Sequence, residues 1–336
     1  MGISATVLGA SGFAGAELLR LLGNHPEVEV IAAGASSRAG LAVTDVFPSL
    51  RGYENMVYGP IEEVLEVQAD VVFASLPHTH SMGLFTDAPG RVVDLGADFR
   101  LSDASVYEQW FGIPHVAPES LSRWVYGLPE SHRAAIRTSQ LTANPGCYPT
   151  AVLLALLPIK SSSLRSGETV HVDAVSGVSG AGRAGGEGFD FMSAADNVRP
   201  YKVTGHSHIP EMEEQLGAIV SFVPTLVPMG RGILATCRVH AGDSVTQDDL
   251  DGMYEARFKH EPFVKFLVDT LPETKRLVGS NFAEVAVRLD ARTNTVIAMC
   301  TLDNLGKGAA GQAVQNFNLM FGLDEAAGLS EGGLPV

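Results

Sequence analysis

The chain has 336 residues, 46% hydrophobic and 18% charged, with a formal net charge of −15. Such a composition is too apolar for a disordered chain, and the length is enough for two domains with full cores. The acidic balance lacks the clustered Lys and Arg of a general nucleic-acid surface, and no apolar run approaches the roughly 20 residues that span a bilayer. Neither nucleic acid nor membrane is therefore an expected partner. The N-terminus, Met1-Gly2-Ile3-Ser4, enters a strand-like run without a basic leader, which predicts a cytoplasmic protein. Anionic ligands, repelled by the overall field, would need local arginines and helix N-termini.

Residues 3–8 read as a buried strand, Gly9-Ala10-Ser11-Gly12-Phe13-Ala14-Gly15 as a tight turn, 16–22 as a helix and 28–33 as a second strand. That order predicts a right-handed βαβ unit with parallel strands. The glycine spacing is G-x-x-G-x-x-G, and its place between strand and helix lets the backbone approach a pyrophosphate; the competing reading is an ordinary tight βα turn. An NAD-binding domain places Asp or Glu at the end of the second strand, whereas this chain has Gly34-Ala35-Ser36-Ser37-Arg38. Two hydroxyls and a guanidinium suit a 2′-phosphate, so the expected cofactor is NADP(H), with a solvated loop as the alternative. Further strands at 71–74 and 91–95 complete a doubly wound α/β domain.

In Asn144-Pro145-Gly146-Cys147-Tyr148-Pro149-Thr150 a cysteine stands between turn residues, ahead of the apolar run 151–157. A helix beginning at Pro149 or Thr150 would bring backbone N–H groups and a positive dipole end beside the sulfur, favouring thiolate over thiol. Cys147 is the candidate nucleophile, weighed against a buried structural cysteine. Cys237 and Cys300 lie within β-like apolar runs and read as core. The odd count without CxxC spacing indicates neither a disulfide framework nor a zinc site.

Beyond 157 the β-like runs at 169–176, 218–224, 232–240, 282–289 and 295–302 predict a second domain on a mixed or largely antiparallel sheet. Residues 177–210, Gly-rich and polar, read as a functional loop. At its start, Val175-Ser176-Gly177-Val178-Ser179-Gly180-Ala181-Gly182-Arg183 runs out of the 169–176 strand and has the character of an anion cradle, or of a flexible surface loop. In Gly205-His206-Ser207-His208 the spacing puts both imidazoles on one side of an extended segment. His206 is the candidate general base; a metal site would need further ligands that the sequence does not supply nearby. A last helix is expected at 309–320, followed by a weakly structured tail from 326 to 336.

Taken together, Gly9 to Gly15, Val93-Asp94-Leu95-Gly96-Ala97-Asp98-Phe99-Arg100, Tyr126-Gly127-Leu128-Pro129-Glu130, Asn144 to Thr150, Ser176 to Arg183, Gly205 to His208 and Asp303-Asn304-Leu305-Gly306-Lys307-Gly308-Ala309-Ala310 closely resemble the N-acetyl-gamma-glutamyl-phosphate reductase family. The wider resemblance is to the aspartate-semialdehyde dehydrogenase superfamily. It covers nearly the whole chain. It implies a Rossmann-like doubly wound parallel domain over 1–146, joined by a C-terminal helix within 307–336, and an α+β catalytic, substrate and oligomerisation domain over 147–306. It further implies NADPH-dependent reductive dephosphorylation of N-acetylglutamyl 5-phosphate to the 5-semialdehyde, a step of arginine biosynthesis, through a Cys147 thioester with His206 as acid/base. Candidate cofactor contacts are Gly9, Ser11, Gly12, Phe13, Ala14, Ser36, Ser37, Arg38, Pro77, Ser176, Asn304 and Asn316. Candidate substrate contacts are Arg100, Asn144, Ser179, Gly180, Arg183 and His208. The expected partners are the acyl phosphate, phosphate and further copies of the chain as a homodimer or homotetramer. Ser207 stands where the family more often has a basic residue. The same chemistry on aspartyl or aminoadipyl phosphate, and a non-catalytic NADP-binding sensor, are the rival readings.

Overall fold

The structure, a computed structural model, describes residues 2–86, 90–160, 169–183, 191–242, 245–329 and 332–333. Its contacts divide the chain into two units: Met1–Pro145 with Gly182–Ala184 and Ala309–Ser330, and Gly146–Ala181 with Gly185–Gly308 and Glu331–Val336.

The first unit is built on six strands, β1 (Ile3–Leu8), β2 (Val28–Gly34), β3 (Val71–Ala74), β4 (Arg91–Asp94), β5 (Val125–Tyr126) and β6 (Leu141–Ala143), in the order β2-β1-β3-β4-β6-β5. Every pairing is parallel. Strand β3 is buried throughout, as expected where helices cover both faces of a parallel sheet. The first helix runs Phe13–Leu22, three residues earlier than its apolar pattern implied, because Gly12 already serves as its N-cap. Gly9 makes the preceding turn at φ +71°, and a Cβ there would overlap the Ser75 carbonyl oxygen.

The last helix, Gly311–Phe321, follows a π-helical turn at Gly306–Ala310 and packs in the first unit against the Phe13–Leu22 and Pro129–Ile136 helices. The stretch after it is tied down rather than loose. Asn318 Nδ2 donates to the carbonyls of Glu325 and Ala327 at 3.1 and 2.9 Å, and its Oδ1 pairs with His25 Nε2 at 2.9 Å. Residues 330–331 and 334–336 of the expected loose tail lie outside the described residues.

The second unit holds β7 (Thr169–Ser176), β8 (Arg199–Pro200), β9 (Ile219–Leu226), β10 (Ile233–His240), β11 (Val264–Phe266), β12 (Ala283–Asp290) and β13 (Thr295–Leu302). They form one mixed sheet ordered β11-β12-β13-β10-β7-β9-β8. Strand β7 alternates, with Val170, Val172 and Ala174 buried and Thr169, His171 and Asp173 exposed, so one face of the sheet is packed and the other open. The Cys147–Leu156 helix packs against β10 and β13. All of it from Tyr148 to Leu156 is buried, as its all-round apolar sequence requires.

Gly9→Ala is expected to lower the midpoint of urea unfolding, at a cost of roughly 1–3 kcal/mol, from the left-handed backbone and the carbonyl overlap. Gly12→Ala, where a Cβ meets nothing nearer than the Gly9 carbonyl oxygen at 3.4 Å, is expected to leave the midpoint within error.

Candidate functional site

In the first unit the glycine turn ends at a helix N-terminus without side-chain capping: Gly12 has no side chain to spend, and its N–H goes to the Gly9 carbonyl oxygen at 3.0 Å. The amides of the first turn thus face outward as an anion cradle. Gly9, Ser11, Gly12, Phe13 and Ala14 all belong to this turn. Ser36, Ser37 and Arg38 follow β2, exposed and with no carboxylate among them, and Pro77 is exposed after β3.

Asn316, on the last helix, is fully buried; its Nδ2 donates to Gly127 O at 2.8 Å and to Asn144 Oδ1 at 2.9 Å. Its Oδ1 is buried without a hydrogen-bond partner. Asn144 in turn donates from Nδ2 to Ala309 O at 3.1 Å. Arg100 is 7% exposed, and its Nε and Nη2 donate to the carbonyls of Asn144 and Leu95 at 2.8 and 2.7 Å. The guanidinium expected to meet substrate is largely engaged in holding the backbone before Cys147.

Beneath Arg100 lie two buried carboxylates. Asp98 accepts from Thr79 N–H at 2.7 Å, Met82 N–H at 3.1 Å and Tyr107 hydroxyl at 2.8 Å. Asp94 accepts from Ser81 Oγ at 2.9 Å and Gly96 N–H at 3.0 Å on Oδ1, while Oδ2 has no partner. Burial first, and then the charge of Asp98, pushes its carboxyl up to about 7.

In the second unit Cys147 is the first residue of its helix, not a residue ahead of it: Gly146 is the N-cap, in extended conformation. The sulfur therefore belongs to the first turn of the helix. Thr150 N–H and Oγ1 both return to the Gly146 carbonyl at 2.9 Å, and Gly146 N–H donates to Glu211 Oε1 at 2.8 Å. Gly308 seats the cysteine from the other side; a Cβ there would stand 2.9 Å from Cys147 Cβ. Cys147 is partly exposed, while Cys237 and Cys300 are fully buried.

His206 and His208 do not share an extended strand. They occupy a turn that leads into the Ile209–Leu216 helix, with Lys202 and Thr204 at positive φ just before it. His206 is buried among Tyr148, Tyr201, Phe222 and His208, with ring centroids at 5.6, 5.6, 5.4 and 4.7 Å. Its Nδ1 accepts the His208 N–H at 3.1 Å. The neutral ring therefore carries its proton on Nε2. Tyr201 hydroxyl donates to Tyr148 oxygen at 3.2 Å, and burial, ahead of the Cys147 charge, pushes Tyr201 up to about 12.

Asn304 Oδ1 accepts from Gly232 N–H at 2.8 Å and its Nδ2 donates to Ser179 Oγ at 2.9 Å. Ser176 is buried, and Gly180 packs its missing Cβ against Ser176 Oγ. Arg183 belongs to the first unit, donating from Nη1 to the Ser11 carbonyl at 3.3 Å. Part of the expected 177–210 loop, residues 184–190, lies outside the described residues; the described remainder includes short helical turns and β8.

Sequence reasoning missed Tyr148, Tyr201, Glu211 and Gly308. Tyr148 adjoins Cys147, and Glu211 lies one helical turn past His208, so both were within reach of inspection. Tyr201 and Gly308 had no local signal. Among the described residues no group of three or more His, Cys, Asp or Glu is placed to hold a metal ion, and no helix is long and apolar enough to cross a membrane.

Residues 4–139 match the family described as semialdehyde dehydrogenase, NAD binding domain, and residues 147–304 that described as semialdehyde dehydrogenase, dimerisation domain. The chain is 45% identical to the N-acetyl-gamma-glutamyl-phosphate reductase of Desulforudis audaxviator, over 99% of each chain. It is 43% identical to that of Symbiobacterium thermophilum, over 99% of each. Among solved structures, aspartate semialdehyde dehydrogenase II of Vibrio cholerae matches with a TM-score of 0.73 at 19% identity, covering 96% of this chain and 99% of that one. The Candida albicans aspartate semialdehyde dehydrogenase, solved with NADP, matches with a TM-score of 0.69 at 17% identity, covering 96% and 99%.

Two outcomes are expected. Gly308→Ala should cost about 1–3 kcal/mol in stability and slow alkylation of Cys147 by iodoacetamide, since the cysteine must shift to admit the methyl. For Asp94, ordinarily near 3.8 and here near 7, the native state holds a proton that the unfolded chain has released between those values. Its stabilising contribution is full below about pH 4 and is lost as pH rises through 7. Asp94→Asn should flatten the fall of unfolding free energy across that window by up to about 1.4 kcal/mol per pH unit, read by urea titration at each pH.

Proposed function

Because the chain belongs to the N-acetyl-gamma-glutamyl-phosphate reductase family, an oxidoreductase family with a nicotinamide-cofactor domain, we propose that it reduces N-acetylglutamyl 5-phosphate to the 5-semialdehyde with NADPH, as a step of arginine biosynthesis. The observation that carries the reading is Cys147 at the first turn of an uncapped helix, partly exposed and beside the Tyr148–His206 cluster.

In this reading Cys147 thiolate attacks the acyl carbon, and the C–O bond to phosphate breaks, leaving a thioester on sulfur and free phosphate. The helix start favours the thiolate and steadies the developing oxyanion. The nicotinamide cofactor, when bound, supplies the hydride. His206 then protonates the departing group as the C–S bond breaks and aldehyde leaves; with Nδ1 held by the His208 amide, that proton passes through Nε2. Tyr148 and Tyr201 pack around His206 and hold its ring.

The glycine turn with Phe13 and Ala14 would hold the pyrophosphate, and the carboxylate-free Ser36-Ser37-Arg38 turn supports NADP(H) over NAD(H). Pro77, Ser176, Asn304 and Asn316 complete the proposed cofactor contacts; the unpartnered, buried Asn316 Oδ1 is an acceptor suited to a carboxamide N–H. Ser179, Gly180 and His208 are the proposed substrate contacts. Arg100 and Asn144 act by fixing the backbone ahead of Cys147. The open face of the mixed sheet, where Ile219 is 54% exposed, supports a homo-oligomer of two or four copies.

The test is phosphate-dependent oxidation of N-acetylglutamate 5-semialdehyde with NADP, run beside NAD and beside aspartate semialdehyde. Turnover confined to the acetylated aldehyde with NADP is expected; preference for the other aldehyde would move the substrate within the superfamily. Cys147→Ala is expected to lose turnover by at least about a thousandfold while binding NADPH normally. Loss of NADPH binding in that variant would make the cysteine structural.

A further inference from the structure

Arg183 is grouped by its contacts with the first unit, not with the second-unit residues that its motif adjoins. Ser179, in the second unit, is held by Asn304 Nδ2 at 2.9 Å, whereas Gly182–Ala184 cluster with the first unit. There the Arg183 guanidinium donates to the carbonyl of Ser11, within the glycine turn, at 3.3 Å. It also lies over the Phe47 ring, 4.7 Å from its centroid. Phe47 closes the short Val43–Val46 helix that follows the Ser36-Ser37-Arg38 turn.

Tyr58 belongs to the same corner. Its N–H donates to Leu41 O at 3.0 Å and its carbonyl accepts from Gly40 N–H at 2.7 Å, so it is paired to the segment just after Arg38. Tyr58 is 1% exposed, and its hydroxyl is buried without a hydrogen-bond partner. The Arg183 charge acts on that hydroxyl, opposing the rise that burial imposes. A guanidinium stacked on an aromatic ring, and donating to a carbonyl, stands near an unsatisfied hydroxyl and a turn carrying two serines and a second arginine. That is the chemistry of a phosphate site.

We propose that Arg183, supplied from the second half of the sequence, grips the 2′-phosphate of NADP(H) together with the Ser36-Ser37-Arg38 turn, and so sets cofactor selectivity rather than contacting substrate. The inference rests on the nicotinamide-dinucleotide reading above. Two features favour the 2′-phosphate over the pyrophosphate. The pyrophosphate is served by the uncapped amides of the Phe13–Leu22 helix, without a side chain. The ribose end of a dinucleotide lies at the end of β2, where Arg38 and, through its backbone bonds, Tyr58 are placed. Arg38 by itself is exposed, and an exposed single charge adds little. A second arginine held on an aromatic face is pre-organised, and it offsets a net charge of −15 that repels the extra phosphate.

The experiment is calorimetric titration of the full chain, without substrate, with NADPH, NADH and the nicotinamide-free probe 2′,5′-ADP, in the wild type, Arg183→Gln and Arg183→Lys. Arg183→Gln is expected to weaken NADPH and 2′,5′-ADP about 10- to 100-fold, to change NADH less than about twofold, and to be partly restored in Arg183→Lys. Unchanged NADPH affinity would overturn the proposal. Equal losses for NADPH and NADH would also overturn it, by moving Arg183 to the pyrophosphate or to the fold; a circular dichroism spectrum of each variant separates those two. Wild type that binds neither dinucleotide would sink the cofactor reading itself, a result distinct from any effect of the variants.

Discussion

A carboxylate with no exposed surface, that of Asp303, fixes the part of the second unit that carries Cys147 and Ser179. It closes β13 and accepts from Arg231 through Nε at 3.0 Å and Nη2 at 2.9 Å. It also accepts from the amides of Gly279 at 2.5 Å, Leu305 at 2.9 Å and Gly306 at 3.3 Å. A buried charge is tolerable only when its lone pairs are filled in this way, and the loss of one partner would strand the rest. Two other placements follow from that anchorage. Asn304, the next residue, ties Ser179 and Gly232 together, and the Asp303 carbonyl receives Gly308 N–H at 2.9 Å, setting the glycine against Cys147. The turn beside Cys147 and the turn beside Ser179 are thus two ends of one hydrogen-bonded knot.

The two units use the same device for different purposes. Each presents a helix whose N-cap is a glycine without a side chain to bond the first-turn amides, Gly12 in one and Gly146 in the other. Two other helices carry a side-chain cap instead: Thr246 and Asp249 form a capping box, and Asp103 receives the Ser105 amide. A side-chain cap costs a helix its anion site, because the capping oxygen occupies the place that phosphate or thiolate would take. The two glycine-capped ends are where the proposed chemistry needs bare amides.

Much of this was legible in the chain. The apolar runs gave β1, β2, β7, β9, β10, β12 and β13 to within about two residues, because periodicity of two and unbroken β-branched runs are local signals. Strands β5, β6, β8 and β11 were missed, since two or three residues carry no period. Helix starts were misread where glycine replaced a side-chain cap, at Phe13 and at Cys147, because the usual Ser, Thr or Asp signal was absent. The motif residues were found as types, but their grouping was not. Arg183 sits beside Ser11, 172 residues away in sequence, and Arg231 beside Asp303, 72 residues away; neither pairing leaves a trace in local spacing.

The three cysteines differ in more than exposure. Tyr254 donates its hydroxyl to the Ala155 carbonyl near the far end of the Cys147–Leu156 helix, and the thiols of Cys237 and Cys300 are the ones that bear on that tyrosine. Eight residues of helix place that point about 12 Å from the first turn. Cys237 and Cys300 are fully buried, so the partly exposed Cys147 is the thiol that an oxidant from solution meets. A sulfenic acid formed there stays exposed to further, irreversible oxidation until a small thiol arrives from solution, so the durability of the site in oxidising conditions is set by the surrounding thiol pool rather than by the fold.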